Sequence, residues 1–168
     1  MAGLSGRYLE RAMKRQYRPA ACSRERGATA VEFALVFPLF FLILYAIVTF
    51  GLIFAVQQSL TLAATEGARS ALNYVYEANG SGSQALTDRA SAAKTTAAGL
   101  TSWLAHVQIP TPVSGACSYD PAMYCVTVTV TYPYQAHPLV PSLPLLGLVT
   151  PAQLTGTATV QINPATIL

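Results

Sequence analysis

Residues 33–56 read FALVFPLFFLILYAIVTFGLIFAV, 24 positions without a charged side chain. About 20 apolar residues in a helix cross a hydrocarbon core of roughly 30 Å, so this run spans a membrane with some tilt. A helix buried in a soluble protein keeps a polar stripe, and this one has none. Pro38 and Gly51 are compatible with the assignment, because membrane helices tolerate both. The flanks are unequal. Seven of the ten basic residues (Arg7, Arg11, Lys14, Arg15, Arg18, Arg24, Arg26) precede the run, with only Glu10 and Glu25 as acids, and the next base after it is Arg69. By the positive-inside rule residues 1–26 face the cytoplasm and the chain from about residue 57 lies outside.

The remaining composition agrees. The chain has 168 residues, of which 52% are apolar and 10% charged, against about 25% charged in an ordinary soluble domain. That balance excludes extensive disorder and argues against a cytoplasmic enzyme with a charged surface. Residues 1–26 carry a net +5, and everything after Gly27 carries −2. The basic head reads as a topology signal in contact with anionic lipid, not as a nucleic-acid surface. A secretory signal peptide has an apolar region of about 7–15 residues and a small-x-small cleavage site. This run is longer, and the triplet Leu62-Ala63-Ala64 places a large residue where a small one is required. Lipoprotein processing is excluded because Cys22 precedes the apolar run; it reads as a reduced thiol without an assigned role.

Glu32 stands apart, inside the otherwise apolar Ala28-Thr29-Ala30-Val31-Glu32-Phe33. An acid deep in a membrane costs about 2.5–3.5 kcal/mol on insertion scales and is a functional candidate. At the interface it costs little and complements a helix N-terminus. Position alone leaves both readings open. The neighbouring residues add to it: Gly27 is followed by Ala28, with Glu32 at the fifth place after the glycine and Phe33 next. This arrangement resembles a type IV prepilin processing site. The resemblance implies that a membrane-embedded prepilin peptidase cuts between Gly27 and Ala28 on the cytoplasmic face. It also implies that the apolar helix is retained, and that Glu32 pairs with the freed α-amino group of a neighbouring subunit. A buried carboxylate is tolerable when paired, and the cut would create a cation four residues away. Arg24 and Arg26 supply the basic flank such sites carry.

The run RGATAVEFALVFPLFFLILYAIVTFG, then Gln57-Gln58, then Ala63-Ala64-Thr65-Glu66-Gly67-Ala68-Arg69 is similar to TadE-like minor pseudopilins of the tight-adherence (Tad/Flp) pilus machinery. The resemblance is dense over residues 26–72 and looser over 124–134 and 154–162. It implies a non-enzymatic assembly component of the bacterial inner membrane. Such a component is single-pass, with a cytoplasmic N-terminus and a periplasmic C-terminal domain. The implied partners are the prepilin peptidase, other pilins and pseudopilins, and the Tad inner-membrane platform. A Flp-type major pilin is much shorter and lacks a large exterior region, so the main filament subunit is excluded. The competing reading is an uncleaved bitopic envelope scaffold or binding protein.

The expected fold class is α+β. Residues 1–27 form the leader, 28–56 the transmembrane helix, 57–78 its extension, 79–83 a Gly/Ser linker and 84–168 an exterior domain. In the extension, Val56, Leu60, Ala63, Gly67, Ala71 and Val75 share one helical face, and Glu66 and Arg69 form a local pair. Asn79-Gly80-Ser81-Gly82-Ser83 stops the helix. A second helix buries Leu86, Ala90, Ala93, Ala97, Leu100 and Leu104, with Thr87, Asp88, Arg89, Lys94 and Thr95 on its polar side and Trp103 in the core. Three antiparallel strands follow. Val107–Val113 is at best an edge strand because of Pro110 and Pro112. Residues 125–134 alternate with Val126, Val128, Val130 and Tyr132 inward, and 155–162 with Ala158, Val160 and Ile162 inward. The Pro/Leu-rich link 137–151 is expected to cover the sheet, with a contact surface formed by Leu139, Leu143, Leu145, Leu146 and Leu148 as the other possibility.

Cys117 and Cys125 flank a turn at Asp120-Pro121 in the part assigned to an oxidising compartment, and a hairpin there brings them within disulfide range. A zinc site is not expected, since His106 and His137 are the only histidines and neither stands at ligand spacing. No phosphate loop, nucleophile elbow or His-Glu metal motif occurs, so neither an enzyme nor a cofactor is expected.

Overall fold

A computed structural model describes residues 25–73, 81–141 and 150–166. The basic head before residue 25 lies outside the described residues. So do Cys22, Val75, the first two linker positions and Leu143, Leu145, Leu146 and Leu148.

Helix α1 runs over Glu25–Ser70 and α2 over Gly82–Leu100. The strands are β1 (Val113–Ala116), β2 (Tyr124–Tyr132) and β3 (Leu154–Ile162), followed by a 3-10 turn at Pro164–Thr166. The sheet is antiparallel in the order β1-β2-β3. The expected α+β architecture is what the chain adopts: a long apolar helix, a second helix and three strands. The contacts divide the chain into two units, Met1–Tyr45 and Ala46–Leu168.

In the first unit α1 is apolar and exposed. Every residue from Gly27 to Leu44 is exposed. Phe33, Phe37, Phe41 and Tyr45 form an i, i+4 ladder along it, with ring centroids 5.3, 6.2 and 6.5 Å apart in turn. Pro38 lies inside the helix and withdraws one intrahelical donor.

In the second unit, burial on α1 begins at Thr49 and continues through Ile53, Val56, Leu60, Ala63, Ala64, Ala68 and Ala71. From α2 come Ala85, Leu86, Ala90, Ala93 and Ala97; from β2, Val126, Val128, Val130 and Tyr132; from β3, Leu154 and Ile162. An alanine-rich helix face buries little area per turn, so α2 gains contact by close approach instead. A Cβ on Gly67 would stand 2.9 Å from the Ala93 carbonyl oxygen and 3.1 Å from the Ala97 Cβ. Between the helices there is room for hydrogen and little else. The valines of β2 then supply the bulk that the helices lack.

α1 ends by tightening. Ala71 N–H donates to the carbonyls of Gly67 and Ala68 (3.3 and 3.2 Å), and Leu72 N–H to that of Arg69 (3.0 Å). The last carbonyls of a helix have no intrahelical donor. One such group beyond the last turn, the Ala71 carbonyl, accepts Nη1 of Arg89 at 3.3 Å. Arg89 is 2% exposed, which corrects its expected place on the polar side of α2. A cation is well placed against the negative end of a helix dipole.

Trp103 is a second correction: it is 63% exposed, while Thr101 and Leu104 are buried in its stead. α2 stops at Leu100, and Leu100 itself is 40% exposed. The turns beyond it break the helical period on which the core assignment rested. The segment 107–112 is not a strand. It makes one isolated bridge, Gln108 with Thr131, and β1 starts at Val113, beyond both prolines. Nearby, His106 adopts φ 65°, and its ring stacks on His137 with centroids 3.7 Å apart and planes within 3°. The Tyr132 hydroxyl donates to the His137 carbonyl at 2.6 Å, holding the second loop against the end of β2.

Candidate functional site: the start of the apolar helix

The residues assigned to processing and assembly lie on the first turns of α1. Gly27 and Ala28 are exposed and helical. A Cβ at Gly27 would meet no atom within 4 Å, so packing within the chain does not require glycine there. Any requirement for it is imposed from outside, by whatever binds the segment.

Glu32 is four residues beyond Ala28, one helical turn and about 6 Å along the axis. Residues four apart share a helix face, so its side chain and the Ala28 amide end lie on the same side. Glu32 is exposed, and among the described residues it has no ion-pair partner within 4.0 Å; the ion pair found there is Arg69–Glu66 at 3.3 Å. Phe33, next in sequence, begins the aromatic ladder.

The uncovered stretch of α1 has a defined length. Counted from Ala28, it runs to Val48, with Tyr45 and Ala46 half-buried, and closes at Thr49, which is 4% exposed. Those 21 residues rise about 31 Å, close to one hydrocarbon core. α1 is long and apolar enough to cross a membrane and fits single-pass insertion. The apolar sequence continues to Val56, but Ile53 and Val56 are core residues of the second unit.

The downstream motif has structural roles. Ala63, Ala64 and Ala68 are core, and Gly67 admits α2. Glu66 and Arg69 form the expected i, i+3 pair, with both side chains largely exposed and therefore worth a few tenths of a kcal/mol. None of these groups converges on a reactive centre.

Cys117 and Cys125 are joined in a disulfide with Cα atoms 5.0 Å apart. The loop between them is turned by Asp120, whose Oδ1 accepts Ala122 N–H at 3.0 Å. Closing a loop this short removes about 2–3 kcal/mol of unfolded-chain freedom. Cys117→Ser/Cys125→Ser is accordingly expected to lower the unfolding free energy of the second unit by that amount. Urea unfolding of the oxidised, reduced and double-serine chains measures it, and the last two should coincide.

Sequence reasoning missed Gly156, Arg89 as a cap and the histidine stack. An isolated glycine inside an alternating strand signals close backbone approach, and Gly156 is such a residue. The helical period places Arg89 near the buried face but gives no sign of its partner, and the stack had no signal.

Residues 27–69 match the family model described as TadE-like protein, the segment over which the two motifs and the apolar run were read. No curated protein and no solved structure matches the chain.

Proposed function

Residues 27–69 are a TadE-like segment, and on that premise we propose that the chain is a minor pseudopilin of the Tad/Flp pilus system. It inserts with the basic head in the cytoplasm and is cut by a prepilin peptidase after Gly27. The helix remains as its anchor, and through that helix the protein joins other pilin-type subunits and the inner-membrane platform. Its role is structural, and the second unit stands in the periplasm. The observation that carries this reading is the uncovered stretch of α1. Counted from the proposed new N-terminus, Ala28, it is about one membrane thickness long, and burial on α1 begins at Thr49. A leader removed after Gly27 leaves Ala28 as the N-terminus of the membrane helix. It also removes the +5 head, so the mature chain carries −2.

The test is the intact mass of the protein purified from cells with an active prepilin peptidase. The expected mature chain starts at Ala28. Gly27→Ala is expected to leave the precursor at full length and still membrane-inserted, because the helix beyond it is untouched. Wild-type chains that retain Met1 in such cells would instead identify an uncleaved bitopic scaffold.

A further inference from the structure

The outer face of the sheet holds a feature that assembly through α1 does not use. A groove of about 380 Å³ lies over β1, β2 and the loop joining them, lined among others by Val113, Ser118, Tyr119, Cys125, Thr127 and Thr159. Its volume is within the range of small-ligand sites. The walls carry no ionisable acid or base apart from the tyrosine phenol. The acid nearest in sequence, Asp120, is turned into its own loop and accepts Ala122 N–H.

The polar groups are hydroxyls with capacity left. Thr127 and Thr159 share one hydrogen bond at 2.9 Å, and each hydroxyl keeps further acceptor sites. The Tyr119 hydroxyl meets the Cys125 sulfur at 3.6 Å, a weak partner. Beside these hydroxyls are two apolar surfaces, the Tyr119 ring side chain at 67% exposure and Val113 at 74%. The disulfide closes the loop that bears Tyr119, so the ring is presented by a constrained backbone and little ordering is needed when a ligand arrives.

From this chemistry we propose that the groove binds a neutral saccharide. A charged ligand would find no counter-ion. A wholly apolar one would leave the threonine and serine hydroxyls without partners. A sugar ring has an apolar face to lay on Tyr119 and Val113, and equatorial hydroxyls to meet Thr127, Thr159 and Ser118. Tyrosine suits this position, because it offers an apolar body and a polar tip.

The test uses the full chain in a non-glycosidic detergent. It is titrated with cellohexaose, maltohexaose and chitohexaose, with an oligogalacturonate of the same length as the acidic comparator. At least one neutral hexasaccharide is expected to bind with a dissociation constant on the order of 1 mM. Tyr119→Ala is expected to weaken binding roughly tenfold and Tyr119→Phe much less. Reducing the disulfide should weaken it too. A thermal melt of Tyr119→Ala that matches wild type separates lost contact from lost fold. The proposal is overturned if no neutral hexasaccharide binds, if the acidic comparator binds more tightly, or if the folded Tyr119→Ala chain binds as wild type does.

Discussion

Gly156→Ala is expected to destabilise the second unit by about 3 kcal/mol, at the upper end of what overpacking costs. It should lower the melting temperature by roughly 10 °C. A Cβ at this position would lie 2.5 Å from both the carbonyl carbon and oxygen of Leu60 and 2.7 Å from the Thr61 nitrogen. All three are backbone atoms in the middle of α1, so no side-chain rotation makes room. Either β3 lifts away from the helix or a helical turn opens. Lifting β3 exposes Leu154 and Ile162, both buried, and breaks the bond from Gln57 Nε2 to the Thr155 carbonyl, 2.8 Å long. Gly115→Ala is the control. It is also a strand glycine, but a Cβ there meets nothing within 4 Å. Replacing it should leave the melt within a few degrees of wild type, since alanine lowers the conformational entropy of the unfolded chain. Circular dichroism melts of the full chain in micelles distinguish the two. Equal melts for Gly156→Ala and wild type would mean that β3 does not rest on α1 as closely as the structure has it.

Gly156 is an isolated glycine in an alternating strand, a signal of close approach that the sequence did carry. Alternation over β2 and β3 was readable because Val126, Val128 and Val130 recur at every second place and face one core. The buried face of α1 at Val56, Leu60, Ala63, Gly67 and Ala71 was readable for the same reason, since period and polarity agree there. Where period and polarity disagree, the reading failed. Arg89 lies three residues beyond Leu86 and four before Ala93, so the helical period already puts it near the buried face. Only its charge suggested otherwise, and the partner that makes its burial tolerable, the Ala71 carbonyl at the end of α1, is 18 residues away. Trp103 failed in the opposite sense: a large apolar ring suggested core, but it lies beyond the end of α2, where the period no longer holds. The motif assigned to processing, Gly27 to Phe33, is contiguous in sequence. The place where the second unit takes over α1 could not be read from the sequence. Phe33 to Val56 is apolar throughout, and nothing in the residues before or after Thr49 distinguishes a side chain facing lipid from one facing a protein core.

Glu32→Gln is expected to leave insertion and the cut after Gly27 unchanged, and to lower association with neighbouring pilin-type subunits by about a hundredfold or more. The substitution keeps size and hydrogen-bonding ability and removes only the charge. Under the proposed function, two partners would compete for that charge after cleavage. One is the helix to which Glu32 belongs: an acid in the first turns complements the dipole for about 0.3–1 kcal/mol, a loss that assembly would barely register. The other would be the α-amino group of an adjacent subunit, within a bundle of apolar helices. Removing one partner of such a buried pair costs about 3–5 kcal/mol, equivalent to a hundredfold or more in the association constant. Glu32 lies in the stretch of α1 that the folded chain leaves uncovered, and it has no ion-pair partner within 4.0 Å among the described residues. A charge held in that position is most costly when helices pack around it and water leaves, which is when a second subunit's amine would be in reach. The measurement is the yield of mature chain in isolated pilus-assembly complexes, with its N-terminus read by mass. Correctly cut Glu32→Gln chains that are missing from the complexes would place the carboxylate between subunits. Cut chains recovered at the wild-type level would return Glu32 to its own helix end. Glu32→Asp, one methylene shorter but still charged, should fall between the two.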